Sequence, residues 1–283
     1  MSELLLSTYQ ARPLLAKRLV ELPRKAMSSA DLNLTKVEVE LTEEGVQFPD
    51  QIVPWPLLER VATEDRKVFS VRDGAAKALQ VFSGTTGWVR SLCPTESAPT
   101  VLVSGIPMHR IKGTDPVKDT REKMKALGIQ KGRVLDTATG LGYTAIAAAR
   151  TAKEVVTIEV DASAIDLARL NPWSRELFAR PNIHQIIGDA AEEIAEMPRG
   201  LFSAVIHDPP TMVLGGELYS GEFYCELHRV LNRGGKLFHY ICDPDSGIGK
   251  RMWPGVIKRL GEAGFRRIER HPEAFGVIAE RGT

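Results

Sequence analysis

The spacing of apolar and polar positions changes period several times along this chain, and each change marks an element. Residues 3 to 27 place Leu4, Leu5, Ala11, Leu14, Leu15, Leu19 and Leu22 at helical spacing. That predicts an amphipathic helix, with Pro13 as an interruption and Pro23 as its stop. From Thr35 the period falls to two: Val37, Val39 and Leu41 alternate with Lys36, Glu38 and Glu40, and Glu43-Glu44-Gly45 turns the chain into Val46 and Phe48. This is the pattern of a hairpin with one wet face. Pro54 and Pro56 open a short helix over Leu57 to Ala62, while Lys67 to Val71 and Ala78 to Phe82, joined through Arg72-Asp73-Gly74, predict a second hairpin. Residues 1–100 therefore read as a small N-terminal α+β module whose edge is the proline- and serine-containing stretch Cys93 to Pro99. Its expected role is substrate recognition or dimer contact, with simple capping of a sheet as the plainer reading.

Residues 101–283 show a different rhythm. A helix running to Leu127 is predicted by Thr114 or Asp115 as a cap with Pro116 in the first turn. Strand-like and helix-like runs then alternate: Val134 to Asp136, Ala145 to Arg150, Val155 to Asp161, Ala162 to Leu170, Ile183 to Ile187, Phe202 to Ile206, Leu237 to Tyr240, and Val256 to Gly264. Phe265 to Arg270 and Gly276 to Glu280 read as a last strand pair. Such alternation predicts an α/β fold around a mostly parallel sheet.

The chemistry concentrates where strands end. Val134-Leu135-Asp136-Thr137-Ala138-Thr139-Gly140-Leu141-Gly142-Tyr143-Thr144-Ala145 is an apolar run that ends in an acid, followed by a glycine-containing turn and an alanine-rich helix. Gly140 and Gly142 have no Cβ, so the backbone can pass directly beneath a ligand. Nineteen positions beyond Gly140 stands Glu159, a carboxylate placed to grip ribose hydroxyls. The competing dinucleotide fingerprint is G-x-G-x-x-G; here Ala145 takes the place of the third glycine, and Asp136 precedes the loop, which favours a cationic ligand over a pyrophosphate. Further acids follow in Gly188-Asp189-Ala190 and in His207-Asp208-Pro209-Pro210-Thr211. Asp189 has a plain alternative reading as a helix cap, and His207 as a satisfied structural histidine.

Taken in order, these motifs resemble those of the class I S-adenosylmethionine-dependent methyltransferases over roughly residues 105 to 280. The resemblance implies a Rossmann-like sheet, mostly parallel with one antiparallel strand, and S-adenosyl-L-methionine as the cofactor. It implies cofactor binding by Asp136, Gly140, Gly142, Tyr143, Thr144, Glu159, Asp189 and Ala190, and substrate contacts from His207, Pro209, Pro210 and Thr211. Asp208 becomes the catalytic residue, orienting an amine nitrogen for in-line methyl transfer and taking up its proton. The sequence is also similar to a group of predicted archaeal methyltransferases. Gly216-Glu217-Leu218-Tyr219-Ser220-Gly221-Glu222-Phe223-Tyr224, followed by Leu227-His228-Arg229-Val230-Leu231, resembles spermidine synthases, so an aminopropyltransferase using the decarboxylated donor is an alternative. A nucleic-acid N-methyltransferase is a second, although Thr211 stands where the acid-Pro-Pro-aromatic motif would carry a base-stacking ring.

Composition narrows the partners. The 283 residues are 43% apolar, enough for a buried core, and carry a formal charge of +1. Residues 1 to 110 balance thirteen Lys/Arg against thirteen Asp/Glu, so no strong nucleic-acid signal is present. Cys93, Cys225 and Cys242 have neither disulfide nor zinc spacing, which predicts reduced thiols, a cytoplasmic protein and no metal. No apolar run is long enough to predict a membrane span. The acceptor stays open between a small-molecule amine and a macromolecule, and the N-terminal module admits a homodimer.

Overall fold

The computed structural model describes residues 3–18 and 24–282. The chain divides into two compact units, Met1–Val117 with Asp166–Arg175, and Lys118–Ile165 with Glu176–Thr283.

In the first unit Leu4–Leu6 is a strand and the helix is Thr8–Arg18, so the expected helix begins later than its apolar spacing suggests. The reason lies at Ser7 and Gln10. The Gln10 Oε1 accepts from the Ser7 amide at 2.9 Å and from its hydroxyl at 2.7 Å, while Ser7 Oγ accepts from Tyr9 N at 3.2 Å, a cap that fixes the helix start. Upstream, Leu4, Leu5 and Leu6 pair antiparallel with Val71, Ser70 and Phe69. Pro13 lies inside the helix without ending it, where Ala11 and Leu14 are buried beside it. Leu19, Leu22 and Pro23 fall outside the described residues.

The first hairpin forms over Val37–Leu41 and Gly45–Gln47, within a sheet that adds Arg24–Ser28 and Ile52–Pro54. Pro54 precedes the helix Trp55–Ala62. In the second hairpin, Phe69–Arg72 returns through Asp73 and Gly74, both at positive φ, into Ala75–Ala78. Gln80–Phe82, expected in that return strand, pairs instead with Val89–Cys93. The next strand, Thr100–Val103, also pairs with Val89–Cys93. This pairing crosses the boundary expected at residue 100 and carries the unit on to Val117.

The second unit is built on seven strands: β1 (Arg133–Asp136), β2 (Glu154–Glu159), β3 (Ile183–Ile187), β4 (Phe202–His207), β5 (Leu231–Tyr240), β6 (Phe265–His271) and β7 (Gly276–Arg281). Their order is β3-β2-β1-β4-β5-β7-β6. Every pair from β3 to β5 is parallel, and β7 runs antiparallel between β5 and β6. β5 is longer than its apolar core suggests, because Leu231 already pairs with Phe202 before a bulge restores the ladder at Lys236. Phe202, Tyr224, Leu227, Trp253, Val256, Leu260 and Phe265 form the heart of this unit's core. Chain order reverses between β1 and β4, whose ends meet where Asp136 registers with Ile206. In an open sheet of this kind, that switch point at the carboxyl ends is where ligands bind.

Candidate active site

The loop after β1 is shaped by hydrogen bonds to the strands on either side. Thr137 N donates to Ile206 O at 3.0 Å and Thr139 N to Ile158 O at 2.8 Å. Gly140 and Gly142 then take φ of 51° and 78°. The two glycines have different reasons. A Cβ on Gly142 would lie 2.7 Å from Leu177 Cδ2, whereas one on Gly140 would meet nothing within 4 Å. Gly142 thus lets the helix Tyr143–Ala149 pack, and Gly140 leaves an open cradle at the loop's crest. Gly140 N donates to Glu159 Oε2 at 2.9 Å, and Asp161 N to Oε1 at 3.2 Å, so Glu159 sits beside that cradle at the tip of β2.

Asp136 lies beneath the loop and is fully buried. Its Oδ2 accepts from Thr144 Oγ1 at 3.1 Å and Thr157 Oγ1 at 3.2 Å, while Oδ1 is buried without a well-formed hydrogen-bond partner. Burial pushes its pKa up to about 7; the Thr144 hydroxyl opposes this, the negative charge of Asp208 adds to it, and Thr157 and the Ala138 amide oppose it. Tyr143 and Thr144 are buried at the start of the following helix. Asp189 caps the helix Ala190–Ala195 by accepting from Ala191 N at 2.7 Å and Glu192 N at 3.3 Å, and Ala190 is a core residue behind it.

At the end of β4, His207 is wholly enclosed. Its Nδ1 lies 2.7 Å from Thr137 Oγ1 and its Nε2 lies 2.9 Å from Leu218 O. Burial lowers its pKa to about 3, only partly offset by the Leu218 carbonyl, so the ring is neutral and ties the loop after β4 back to β1. This is a structural role, and no path from the ring to an acceptor is needed to explain its bonds. His239 lies 4.5 Å away between ring centroids, with its Nε2 2.8 Å from the Tyr224 hydroxyl. Tyr219 donates from its hydroxyl to Pro210 O at 3.1 Å, and Arg259 Nε donates to Tyr219 O at 3.0 Å. Pro209 is buried, Pro210 half-buried and Thr211 exposed. The Thr211 carbonyl accepts from Leu214 N at 2.7 Å and Gly215 N at 3.2 Å, closing a turn.

Asp208 carries the feature that sequence reasoning missed. Lys123, from the helix Pro116–Leu127, reaches it: Nζ is 2.5 Å from Asp208 Oδ2 and 2.8 Å from Asp119 Oδ2, over the Tyr240 ring at 4.6 Å. The lysine side chain is 3% exposed. Burial alone would lower its pKa, but Asp208 and Asp119 outweigh burial and hold it above the ordinary lysine value. The i, i+4 spacing of Asp119 and Lys123 was readable; that this pair turns inward was not, because the helix is charged along much of its length.

An open cradle at Gly140, a carboxylate beside it, and exposed Val160 and Ile187 just past or at the ends of β2 and β3 fit a nucleoside with a cationic tail. Among the described residues, no group of three or more His, Cys, Asp or Glu could hold a metal, and no helix is long and apolar enough to cross a membrane. Residues 120–242 match the family described as Methyltransferase small domain. The chain is 40% identical over 255 residues to the "Uncharacterized protein MJ1233" of Methanocaldococcus jannaschii, covering 88% of this chain and 87% of that one. Among solved structures, a spermidine synthase in complex with the transition-state analogue AdoDATO has a TM-score of 0.59 at 19% identity, covering 74% of this chain and 77% of that one. The spermidine synthase of Thermotoga maritima has a TM-score of 0.57 at 18% identity, covering 74% and 76%. These two share the fold. With the motifs at the strand ends and the family match over β1 to β5, the chain belongs to the class I S-adenosylmethionine-dependent methyltransferases.

Proposed function

We propose that this methyltransferase acts on the nitrogen of an amine-bearing acceptor and that Asp208 orients that nitrogen. The observation that carries the reading is a carboxylate at the ligand end of β4, 16% exposed and ion-paired to a buried lysine. An ionised carboxylate there accepts a hydrogen bond from a neutral amine, turns its lone pair and stabilises the positive charge that grows on nitrogen. The Tyr219 bond to Pro210 O stiffens the Pro209-Pro210 segment that presents it. Gly140, Gly142 and Glu159 would hold the donor, with Asp136 supporting the loop from below and Asp189 fixing the turn after β3 by its cap. When bound, S-adenosyl-L-methionine supplies an electrophilic methyl group on a positively charged sulfur. The first unit would recognise the acceptor or join a second copy; its exposed register pair Phe82 and Val89 supports a contact surface there.

Aminopropyl transfer is the second reading, supported by the fold shared with spermidine synthases. A cationic polyamine wants an uncompensated acidic pocket, and Lys123 already neutralises one charge of the Asp119 and Asp208 pair. This favours methyl transfer to a neutral nitrogen. The deciding experiment incubates the protein with S-adenosylmethionine, or with its decarboxylated form, against a panel of diamines, polyamines, amino acids and RNA, and reads products by mass spectrometry. A product one methyl group heavier supports the proposal if Asp208→Asn abolishes it while binding of S-adenosylhomocysteine persists. Aminopropylated product from the decarboxylated donor alone overturns it.

A further inference from the structure

We propose that Lys123 is the positioning residue for Asp208, an internal cation that fixes the orientation of the acceptor-facing carboxylate and keeps it charged. The inference rests on the proposed role of Asp208 and adds to it the group that makes that role workable.

The geometry is unusual for a lysine. The side chain is 3% exposed and the two acids it joins are 85 residues apart and four residues apart from it in sequence. Lysine is rarely enclosed unless paired, since an isolated ammonium in such surroundings would lose its proton. Here Asp119 is fully enclosed as well, and it anchors the ammonium from its own helix. The ammonium in turn holds Asp208 Oδ2 at 2.5 Å. Asp136 below the glycine loop and the phenol of Tyr219 also face Asp208 electrostatically, and the Tyr240 ring lies under the ammonium. Lys123 brings a positive charge into direct contact with Asp208. An ammonium 2.5 Å from Asp208 Oδ2 favours the charged carboxylate over the protonated acid. A protonated Asp208 would donate toward an acceptor nitrogen and compete for the lone pair that must attack, so the lysine sets which hydrogen bond is made. Proton bookkeeping then follows: the nitrogen's proton leaves to Asp208 or solvent after methyl transfer, and Lys123 keeps its own.

The test separates this from a merely structural ion pair. Lys123→Met leaves two acids uncompensated and is liable to unfold, so Lys123→Met/Asp119→Asn is made beside it, removing one charge of each sign. Carboxyl carbons are labelled with ¹³C in aspartate, the Asp208 resonance is assigned by its loss in Asp208→Asn, and its titration is followed from acid to neutral pH. S-adenosylhomocysteine binding is measured by calorimetry in the same samples. The expected result is an Asp208 midpoint displaced upward by about one pH unit or more in the double variant, with affinity for S-adenosylhomocysteine within about threefold. An unchanged midpoint in a folded double variant overturns the proposal. Its failure is distinct from failure of the functional reading: turnover that survives Asp208→Asn removes the catalytic role of Asp208 while leaving the Lys123 effect on its titration in place.

Discussion

Asp136 makes a sharp thermodynamic prediction, because it is a fully buried carboxyl whose pKa is raised from 3.8 to about 7. The folded protein then binds a proton that the unfolded chain has already released between those two values. Stability therefore falls as pH rises through that window and is level above it. At about 1.4 kcal/mol for each pH unit, the contribution is at most about 4 kcal/mol. Asp136→Asn keeps the shape and an oxygen to accept from Thr144 or Thr157, but cannot ionise. The raw pH profile is not enough, since His207, lowered to about 3, and His239, lowered by burial and by His207, contribute in the opposite sense. Buried neutral histidines lose stability as pH falls below the ordinary histidine value, so the two slopes oppose each other in acid. The difference between wild type and Asp136→Asn cancels the histidines. Urea unfolding of donor-free protein at pH 5, 6, 7, 8 and 9 is expected to show the asparagine variant already ahead by about 1.5 kcal/mol at pH 5, because the unfolded carboxyl has released its proton about one pH unit lower. The asparagine variant should gain about 2–4 kcal/mol over wild type by pH 8, with no further change at pH 9. Parallel curves, offset by the same amount at every pH, would refute a buried carboxyl that ionises near neutrality.

Other sites give contrasting outcomes. Gly140→Ala should fold with a cost of about 1 kcal/mol for a non-glycine residue at positive φ, yet lose donor affinity measured by calorimetry, because its Cβ enters the open cradle. Gly142→Ala should instead lower the melting temperature markedly, since its Cβ lands on Leu177. Asp189→Ala removes two accepted amide bonds and should cost about 0.5–2 kcal/mol in urea unfolding; an unchanged midpoint would deny the cap. Phe82→Ser, at an exposed position, should leave the melting temperature within a few degrees and reveal by light scattering whether the first unit carries a self-association surface.

How far the sequence reached depended on the range of the interaction. Acid-glycine spacing, the Asp73-Gly74 turn and the Asp115 cap are local, and each appears where its neighbours in sequence place it. Leu4–Leu6 was misjudged because a short apolar run fits a helix or a strand equally until its partner, 65 residues away at Phe69–Arg72, is known. Lys123 was missed for the same reason at longer range. In Pro116–Leu127 six of twelve residues are charged, so one lysine turned inward leaves no mark on the pattern. His207 was read two ways, as a substrate contact beside Asp208 and as a satisfied structural histidine, and the bonds of its ring nitrogens to Thr137 and Leu218, out of sequence range, give the second reading its content.

The four acids at the strand tips show why identity and position do not by themselves define electrostatics. Read along the chain, Asp136, Glu159, Asp189 and Asp208 form a ring of like charge waiting for a cation. In the fold each has an internal partner: hydroxyls for Asp136, a loop amide for Glu159, helix amides for Asp189 and an ammonium for Asp208. Pairing of this kind lowers the mutual repulsion that would otherwise destabilise the sheet's edge. It also grades the acids by what they can still do. The capping carboxylate of Asp189 commits one oxygen, Oδ1, to helix amides, and a buried carboxyl near neutrality such as Asp136 offers no fixed charge. Glu159, at the tip of β2 beside the open cradle, and Asp208, 16% exposed at the tip of β4, are carboxylates whose positions permit contact with ligands. They stand on opposite sides of the β1 tip, in strands that flank it, so one can serve the donor and the other the acceptor.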